Sequence, residues 1–280
     1  MNLNKIFLRS FLEKLLLEDI YYGDITTDNL LKGDERAKFI VRTKEDLVLC
    51  GVDIAIELLK LVNSNVKIEK ISEDGEELKK GDIIMEVYGP CRDILIAERT
   101  LLNLLQRLSG IASLTRSVVR KLEGSKTKLL DTRKTTPGLR ILEKYAVRIG
   151  GGYNHRIGLF DGVLIKDNHI AIVGSIRESV RRIKERIPVT VKIEVEVKNL
   201  DELMEAISAG CDMALLDNMS IEEIREAVKI AKGTILLEAS GNITIDNVEK
   251  IASTGVDYIS SGFITHHAVW KDINMKVATF

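Results

Sequence analysis

The chain has 280 residues, 45% apolar and 30% charged, with 41 basic against 42 acidic side chains and a net charge of −1. That length allows one large domain or two moderate ones, and the composition excludes a disordered chain. The balanced charge excludes a global field drawing it to nucleic acid or a membrane surface, so any anion site must come from local clusters of Lys and Arg.

Residues 4–18 place apolar side chains at helical spacing between charges, which predicts an amphipathic helix rather than a signal peptide. No stretch approaches the ~20 apolar residues of a membrane span, and the cytoplasm is the default location. Residues 36–42 and 46–50 read as strands, and 52–62 as a helix. Strands follow at 65–71 and 83–88, separated by the turn-rich Glu73-Asp74-Gly75. Residues 92–122 carry a long helical pattern with a candidate break at Ser109-Gly110. This is an α+β arrangement.

Beyond residue 125 the pattern alternates. Apolar runs at Thr127–Asp131, Val163–Lys166, Val191–Glu196, Met213–Asp217, Thr234–Glu238 and Asp257–Ser260 read as strands. Helical patterns at Ser175–Arg186, Leu200–Ala209, Ile221–Ala231 and Ile245–Ser253 lie between them. Near-continuous apolar strands separated by helices imply a parallel sheet buried on both faces. Glu196, Asp217, Glu238 and Ser260 follow one another at 21, 21 and 22 residues, the rhythm of a βα repeat. An incomplete α/β barrel of about six strands is the natural reading, with a doubly wound open sheet as the alternative.

The strand ends carry the chemistry. They read Asp131-Thr132-Arg133-Lys134, Lys166-Asp167-Asn168-His169, Glu196, Asp217-Asn218, Ser240-Gly241-Asn242 and Ser260-Ser261-Gly262. In a βα barrel such ends converge on one mouth. Arg133, Lys134, His155, Arg156 and Lys166 would then be massed together, which is unfavourable unless a multiply anionic ligand arrives. Arg offers a planar fork for carboxylate or phosphate, and Lys a point charge. Glu196 and Asp217 facing the same mouth point to magnesium, ribose hydroxyls, or both. Ser240-Gly241-Asn242 before a helix, repeated by Ser261-Gly262 on the last strand, suits a phosphate. Gly150-Gly151-Gly152 before His155-Arg156 suggests a ligand-shaped loop.

The four histidines, His155, His169, His266 and His267, show no metal-ligand spacing on a helix, and His266 and His267 read as structural or surface residues. The three cysteines, Cys50, Cys91 and Cys211, argue against a disulfide framework.

The run Asp131-Thr132-Arg133-Lys134-Thr135-Thr136-Pro137-Gly138-Leu139-Arg140 resembles the signature of quinolinate phosphoribosyltransferases. So do Glu143 to Val147, Gly150 to Arg156, Leu164 to His169, Glu194-Val195-Glu196, Leu216-Asp217-Asn218 and Glu238 to Gly241, with Glu98-Arg99-Thr100 further upstream. The likeness runs through nearly the whole chain. It implies a smaller α+β N-terminal domain over residues 1–110, with 268–280 returning to it. An incomplete parallel α/β barrel would occupy 111–267.

It also implies conversion of quinolinate and phosphoribosyl pyrophosphate into nicotinate mononucleotide, carbon dioxide and pyrophosphate, with Mg2+ as cofactor. Carried over by motif, Arg99, Arg133, Lys134, His155, Arg156 and Lys166 would hold the quinolinate carboxylates and nearby phosphate, beside Thr132. Glu196 and Asp217 would serve the ribose and the metal, and Lys134, Lys166, Glu196 and Asp217 would be the catalytic set. Ser240, Gly241, Asn242, Ser261 and Gly262 would form the phosphate loops. Asn242 stands where some relatives carry glycine, and Tyr153 and Phe160 receive no role. The family implies a homodimer with Arg99 entering the neighbouring site, and leaves assembly into a hexamer open. The rivals are a phosphoribosyltransferase for another base, such as nicotinate, a molybdenum-associated paralogue, and a non-catalytic anion-binding barrel.

Overall fold

In the computed structural model, which describes residues 4–278, the chain opens with α1 (Lys5–Ile20) and α2 (Ile25–Leu30). Asn4 starts α1 by accepting the Ile6 and Phe7 N–H groups, and Leu8, Leu12 and Leu16 form its buried stripe. A sequence reading misses α2 because it buries only Thr27 and so has no apolar period. Next come β1 (Arg36–Thr43), β2 (Leu47–Val48), α3 (Val52–Val62), β3 (Lys67–Lys70), β4 (Glu77–Leu78) and β5 (Ile83–Pro90). The strand expected over 46–50 shrinks to a two-residue pairing of β2 with β4.

Helix α4 (Cys91–Arg120) runs without the break anticipated at Ser109-Gly110. Gly110 serves packing instead. A Cβ there would sit 2.2 Å from the Val269 carbonyl oxygen, so only glycine lets the C-terminal segment lie against this helix.

The second part of the chain contains β6 (Lys128–Leu130), α5 (Arg140–Ile149), β7 (Val163–Ile165), α6 (Asp167–Val173) and α7 (Ile176–Lys184). It continues with β8 (Ile193–Val197), α8 (Leu200–Ala209), β9 (Met213–Asp217), α9 (Ile221–Ala231), β10 (Leu236–Ser240), α10 (Val248–Ala252), β11 (Tyr258–Ser260) and α11 (Phe263–His266). Helices α8 and α9 begin where Asn199 and Ser220 cap them, and Gly210 ends α8 in the left-handed region. The predicted spans match these two because both ends carry local signals. Helix α5 hides from hydrophobic periodicity because its buried face includes Glu143 and Lys144.

The six strands of this unit pair in the order β6-β11-β10-β9-β8-β7, all parallel. Their inner residues, such as Val195, Leu216, Ala239 and Ile259, are almost wholly buried. Both edge strands lead into one cleft, so the sheet curls into an incomplete barrel. Finally β12 (Ile273–Val277) pairs antiparallel with β1 and completes the sheet β12-β1-β5-β3.

Two compact units result. One comprises the chain up to Leu114, Arg148–Gly150 and the segment from Ala268; the other comprises Thr115–Val147 and Gly151–His267. Among the described residues, no helix is long and apolar enough to cross a membrane.

Candidate active site

The C-terminal ends of all six parallel strands open onto one cleft of about 730 Å³. The strands end on one side because they are parallel, so residues distant in sequence become neighbours. Every predicted site residue of this unit lines the cleft: Thr132, Arg133, Lys134, His155, Arg156, Lys166, Glu196, Asp217, Ser240, Gly241, Asn242, Ser261 and Gly262. Arg99 belongs to the other unit, where it stands exposed on α4.

Four cations face the cleft. Arg133, Lys134 and Lys166 are exposed, while Arg156 is half-buried and donates to the Gly162 carbonyl at 3.0 Å. Burial, and then the charge of Arg133, hold the Arg156 guanidinium below its ordinary pKa. Lys166 Nζ lies 2.9 Å from Glu196 Oε2. The loop that presents Arg133 and Lys134 is braced. Thr132 Oγ1 accepts the Lys134 N–H, and Arg140 Nε donates to Thr135 Oγ1, both at 3.0 Å.

At the next strand end, Asp217 accepts from Asn218 Nδ2 at 2.9 Å, and Asn218 Oδ1 accepts from Asn242 Nδ2 at 3.1 Å. Gly241 sits between these asparagines at φ +106°, and a Cβ there would meet Asn218 Oδ1 at 2.2 Å. Glycine is therefore required twice over, by angle and by space. Asn242 has φ +50°, a left-handed conformation that asparagine tolerates and glycine adopts freely. Ser261 Oγ donates to the Ile243 carbonyl at 2.7 Å and ties the second loop to the first. A Cβ on Gly262 would meet Lys134 Cδ at 2.9 Å and the His266 ring at 3.0 Å.

Several expectations need correction. Asp131 does not face the cleft. It is completely buried and paired with Lys144, and it also accepts from Asn154 Nδ2 at 2.6 Å and the His155 N–H at 2.9 Å. Its role is to hold the loop that carries His155 and Arg156. Asp167 bonds Lys198 at 3.0 Å, and His169 Nδ1 accepts the Lys166 N–H at 2.9 Å, so both organise the start of α6. The Ser240–Thr244 segment does not run directly into a helix, because α10 begins only at Val248. His266 and His267 are exposed, as a surface reading expects, yet they line the cleft, where His266 packs beside Lys134. Burial, His267 and Lys134 all lower the His266 pKa.

Three acidic groups border the cleft. Glu196 and Asp217, at the ends of adjacent strands, form a pair of hard oxygen donors. The third, Glu238, is completely buried beside Glu194 and His155, and the ligand-capable atoms of these three lie within 4.8 Å of one another. Sequence spacing on a helix could not reveal this trio, because β8, β10 and the loop after α5 each supply one member.

Clustered cations, two carboxylates and two serine-glycine loops meet at the open end of an incomplete barrel, a chemistry that suits an anionic ligand bearing hydroxyl groups. The comparisons agree. The family profile "Quinolinate phosphoribosyl transferase, C-terminal domain" matches residues 111–276, and its N-terminal counterpart matches residues 24–109. A Bacillus subtilis protein named probable nicotinate-nucleotide pyrophosphorylase (carboxylating) is 44% identical, with 98% of this chain and 95% of that one covered. A Methanocaldococcus jannaschii protein of the same name is 42% identical, with 99% of each covered. The solved structure of the Francisella tularensis nicotinate-nucleotide pyrophosphorylase superposes with a TM-score of 0.94 at 44% identity, covering 99% of this chain and 98% of that one. The chain belongs to the quinolinate phosphoribosyl transferase family.

Proposed function

We infer that this chain is a carboxylating nicotinate-nucleotide pyrophosphorylase, a phosphoribosyltransferase of de novo NAD biosynthesis. Quinolinate and phosphoribosyl pyrophosphate are its substrates, and nicotinate mononucleotide, carbon dioxide and pyrophosphate its products. The observation that carries this reading is one cleft uniting Arg133, Lys134, Arg156 and Lys166 with Glu196 and Asp217, in a chain of this family.

The two arginines suit the planar carboxylates of quinolinate, and Arg99 of a neighbouring subunit would add a third fork. His155 borders the same end. The loops at Ser240-Gly241-Asn242 and Ser261-Gly262 suit the 5′-phosphate. Lys134 and Lys166 are point charges for the departing pyrophosphate, and arrival of the substrate would release Lys166 from Glu196. Glu196 and Asp217 would then fix the ribose hydroxyls and favour positive charge developing at C1. Held in line, the pyridine nitrogen bonds to C1 as the pyrophosphate oxygen leaves with its electron pair. The pyridinium next loses its 2-carboxylate as carbon dioxide, the electron pair remaining at C2, where a proton replaces it.

Magnesium fits the donor set. It is commonly held by one or two carboxylates together with substrate phosphates, and Glu196 and Asp217 supply two. When bound, it would neutralise charge on the leaving pyrophosphate. We also assign the protein to the cytoplasm, which suits its free cysteines, and to a homodimer that shares Arg99 between sites.

The decisive experiment supplies phosphoribosyl pyrophosphate and magnesium with either quinolinate or nicotinate, and follows nucleotide and carbon dioxide. Nucleotide with stoichiometric carbon dioxide from quinolinate alone is expected. Nucleotide from nicotinate alone would overturn the substrate, and product from neither would overturn the enzyme.

A further inference from the structure

The cleft rests on two buried acids that flank one imidazole. Glu238, from the middle of β10, is completely buried, and Glu194 of β8 is nearly so. His155 Nε2 lies 2.9 Å from Glu194 Oε2 and 3.5 Å from Glu238 Oε2. Among the described residues, neither Glu238 oxygen nor Glu194 Oε1 has a hydrogen-bond partner. Two adjacent carboxylates closed to water and served by one N–H cannot both stay ionised without a large desolvation penalty. Something must lie between them, and it is either a cation or a proton.

The state of His155 decides between these. Burial disfavours a charged ring, the two acids favour one, and on balance they raise the His155 pKa; the geometry at the other ring nitrogen nevertheless opposes a second ring proton. The Arg156 backbone N–H points at Nδ1 from 2.7 Å, so Nδ1 must keep its lone pair. The ring proton is then on Nε2, and the imidazole is neutral. A metal at this trio would need the Nε2 lone pair, which that proton occupies.

The other charged and polar groups nearby are already engaged. Lys144 of α5 is paired with Asp131 and donates to the His155 carbonyl at 3.0 Å. Arg156 Nη1 donates to Gly162. Across β9 and β11, the residues opposite Glu238 are Leu215 and Tyr258, and Ser260 Oγ donates to Ser240 Oγ at 3.1 Å. Asp217 lies two residues beyond Leu215 and adds further negative charge rather than a counter-ion.

We propose that Glu238 works as a neutral carboxylic acid that donates to the Glu194 carboxylate, which holds the Nε2–H of His155 and thereby fixes Arg156 in the cleft. It is a positioning residue, and this role rests on the phosphoribosyl-transfer reading. The polar chain runs from Glu238 to Glu194, to the His155 ring, and from Nδ1 to the Arg156 backbone. Burial and the neighbouring Glu194 charge, outweighing the opposing effects of His155 and the Ser260 hydroxyl, push the Glu238 acid up to about 8, in keeping with this state.

The test compares wild type with Glu238→Gln, which mimics the protonated acid, and Glu238→Ala, which removes it. At pH 7, Glu238→Gln should keep kcat/KM within about fivefold of wild type, the range of one hydrogen bond. Glu238→Ala should lose about 100-fold, chiefly through KM for quinolinate, as a displaced binding group does. Wild type should lose activity as pH rises through about 8, and Glu238→Gln should lack that alkaline limb. Infrared spectroscopy of the full chain should show a protonated carboxyl band at pH 7 that disappears at higher pH and is missing from Glu238→Gln.

A Gln variant as impaired as the Ala variant, an alkaline limb retained in the Gln variant, or no such band would overturn the proposal. If Glu238→Ala fails to fold, the Gln comparison and the band still decide it. A wild type without turnover would overturn the reaction alone, because the band reports the proton independently.

Discussion

Lys166 and Glu196 meet at the rim of the cleft, Nζ of the one 2.9 Å from Oε2 of the other, joining the loop after β7 to the end of the adjacent β8. The lysine is half exposed, so the pair contributes little to folding and leaves Lys166 available to a stronger anion. Lys166→Ala and Lys134→Ala should each lower kcat by about 100-fold or more, the cost of removing one preorganised charge from a transition state. Their melting temperatures should stay near that of wild type. Near-normal turnover in both variants would sink the site assignment.

The phosphate loop makes a sharper demand. Gly241→Ala forces a Cβ onto Asn218 Oδ1 and strains a backbone at φ +106°. We expect KM for phosphoribosyl pyrophosphate to rise about tenfold or more, from displaced backbone donors. Asn242→Gly should be well tolerated, since φ +50° suits glycine. Steady-state kinetics with the second substrate saturating would separate the two.

Beneath the loops, Lys144 and Asp131 are a completely buried pair. Lys144→Met strands the Asp131 carboxylate and should cost about 3–5 kcal/mol in urea unfolding. A change below about 1 kcal/mol would contradict the pair's structural role.

Glu238 also links stability to pH. Its pKa rises from 4.5 to about 8 on folding, so the folded chain holds this proton where the unfolded chain has lost it. The stabilisation is full below 4.5 and is lost as pH rises through about 8. The Tm advantage of Glu238→Gln over wild type should therefore grow between pH 5 and pH 8.5. An advantage independent of pH would exclude this linkage.

Two outcomes follow from the proposed assembly and metal. Chelation should abolish turnover, and magnesium should restore it. Mixing Arg99→Ala with Lys134→Ala should recover activity, because half the dimers of an equal mixture are hybrids carrying one intact site, about a quarter of all sites. Recovery nowhere above the parents would rule out a shared Arg99.

Much of this was legible in the residues. The apolar runs ending in Glu196, Asp217 and Ser260 marked the parallel strands because a sheet covered on both faces needs unbroken apolar sequence. Asn199, Gly210 and Ser220 marked helix ends because caps act within one turn. Convergence of the cations then followed from strand direction alone.

Other features required the tertiary structure. Asp131 ends its strand just as Asp217 does, yet one is sealed against Lys144 and the other faces the cleft. Side-chain direction at a strand end depends on what packs behind it, here the charged face of α5. Gly110 reads locally as a helix break, whereas the Val269 carbonyl oxygen 2.2 Å from where its Cβ would stand makes it a packing glycine. His155, Glu194 and Glu238 come from three separate segments and carry no spacing signal. The chain by itself determined which elements form and which ends carry charge, because those are local properties of a few neighbouring residues. Which charges are buried together, and so which keep or lose their protons, was decided only by the fold, because desolvation and pairing depend on distances that sequence separation does not encode.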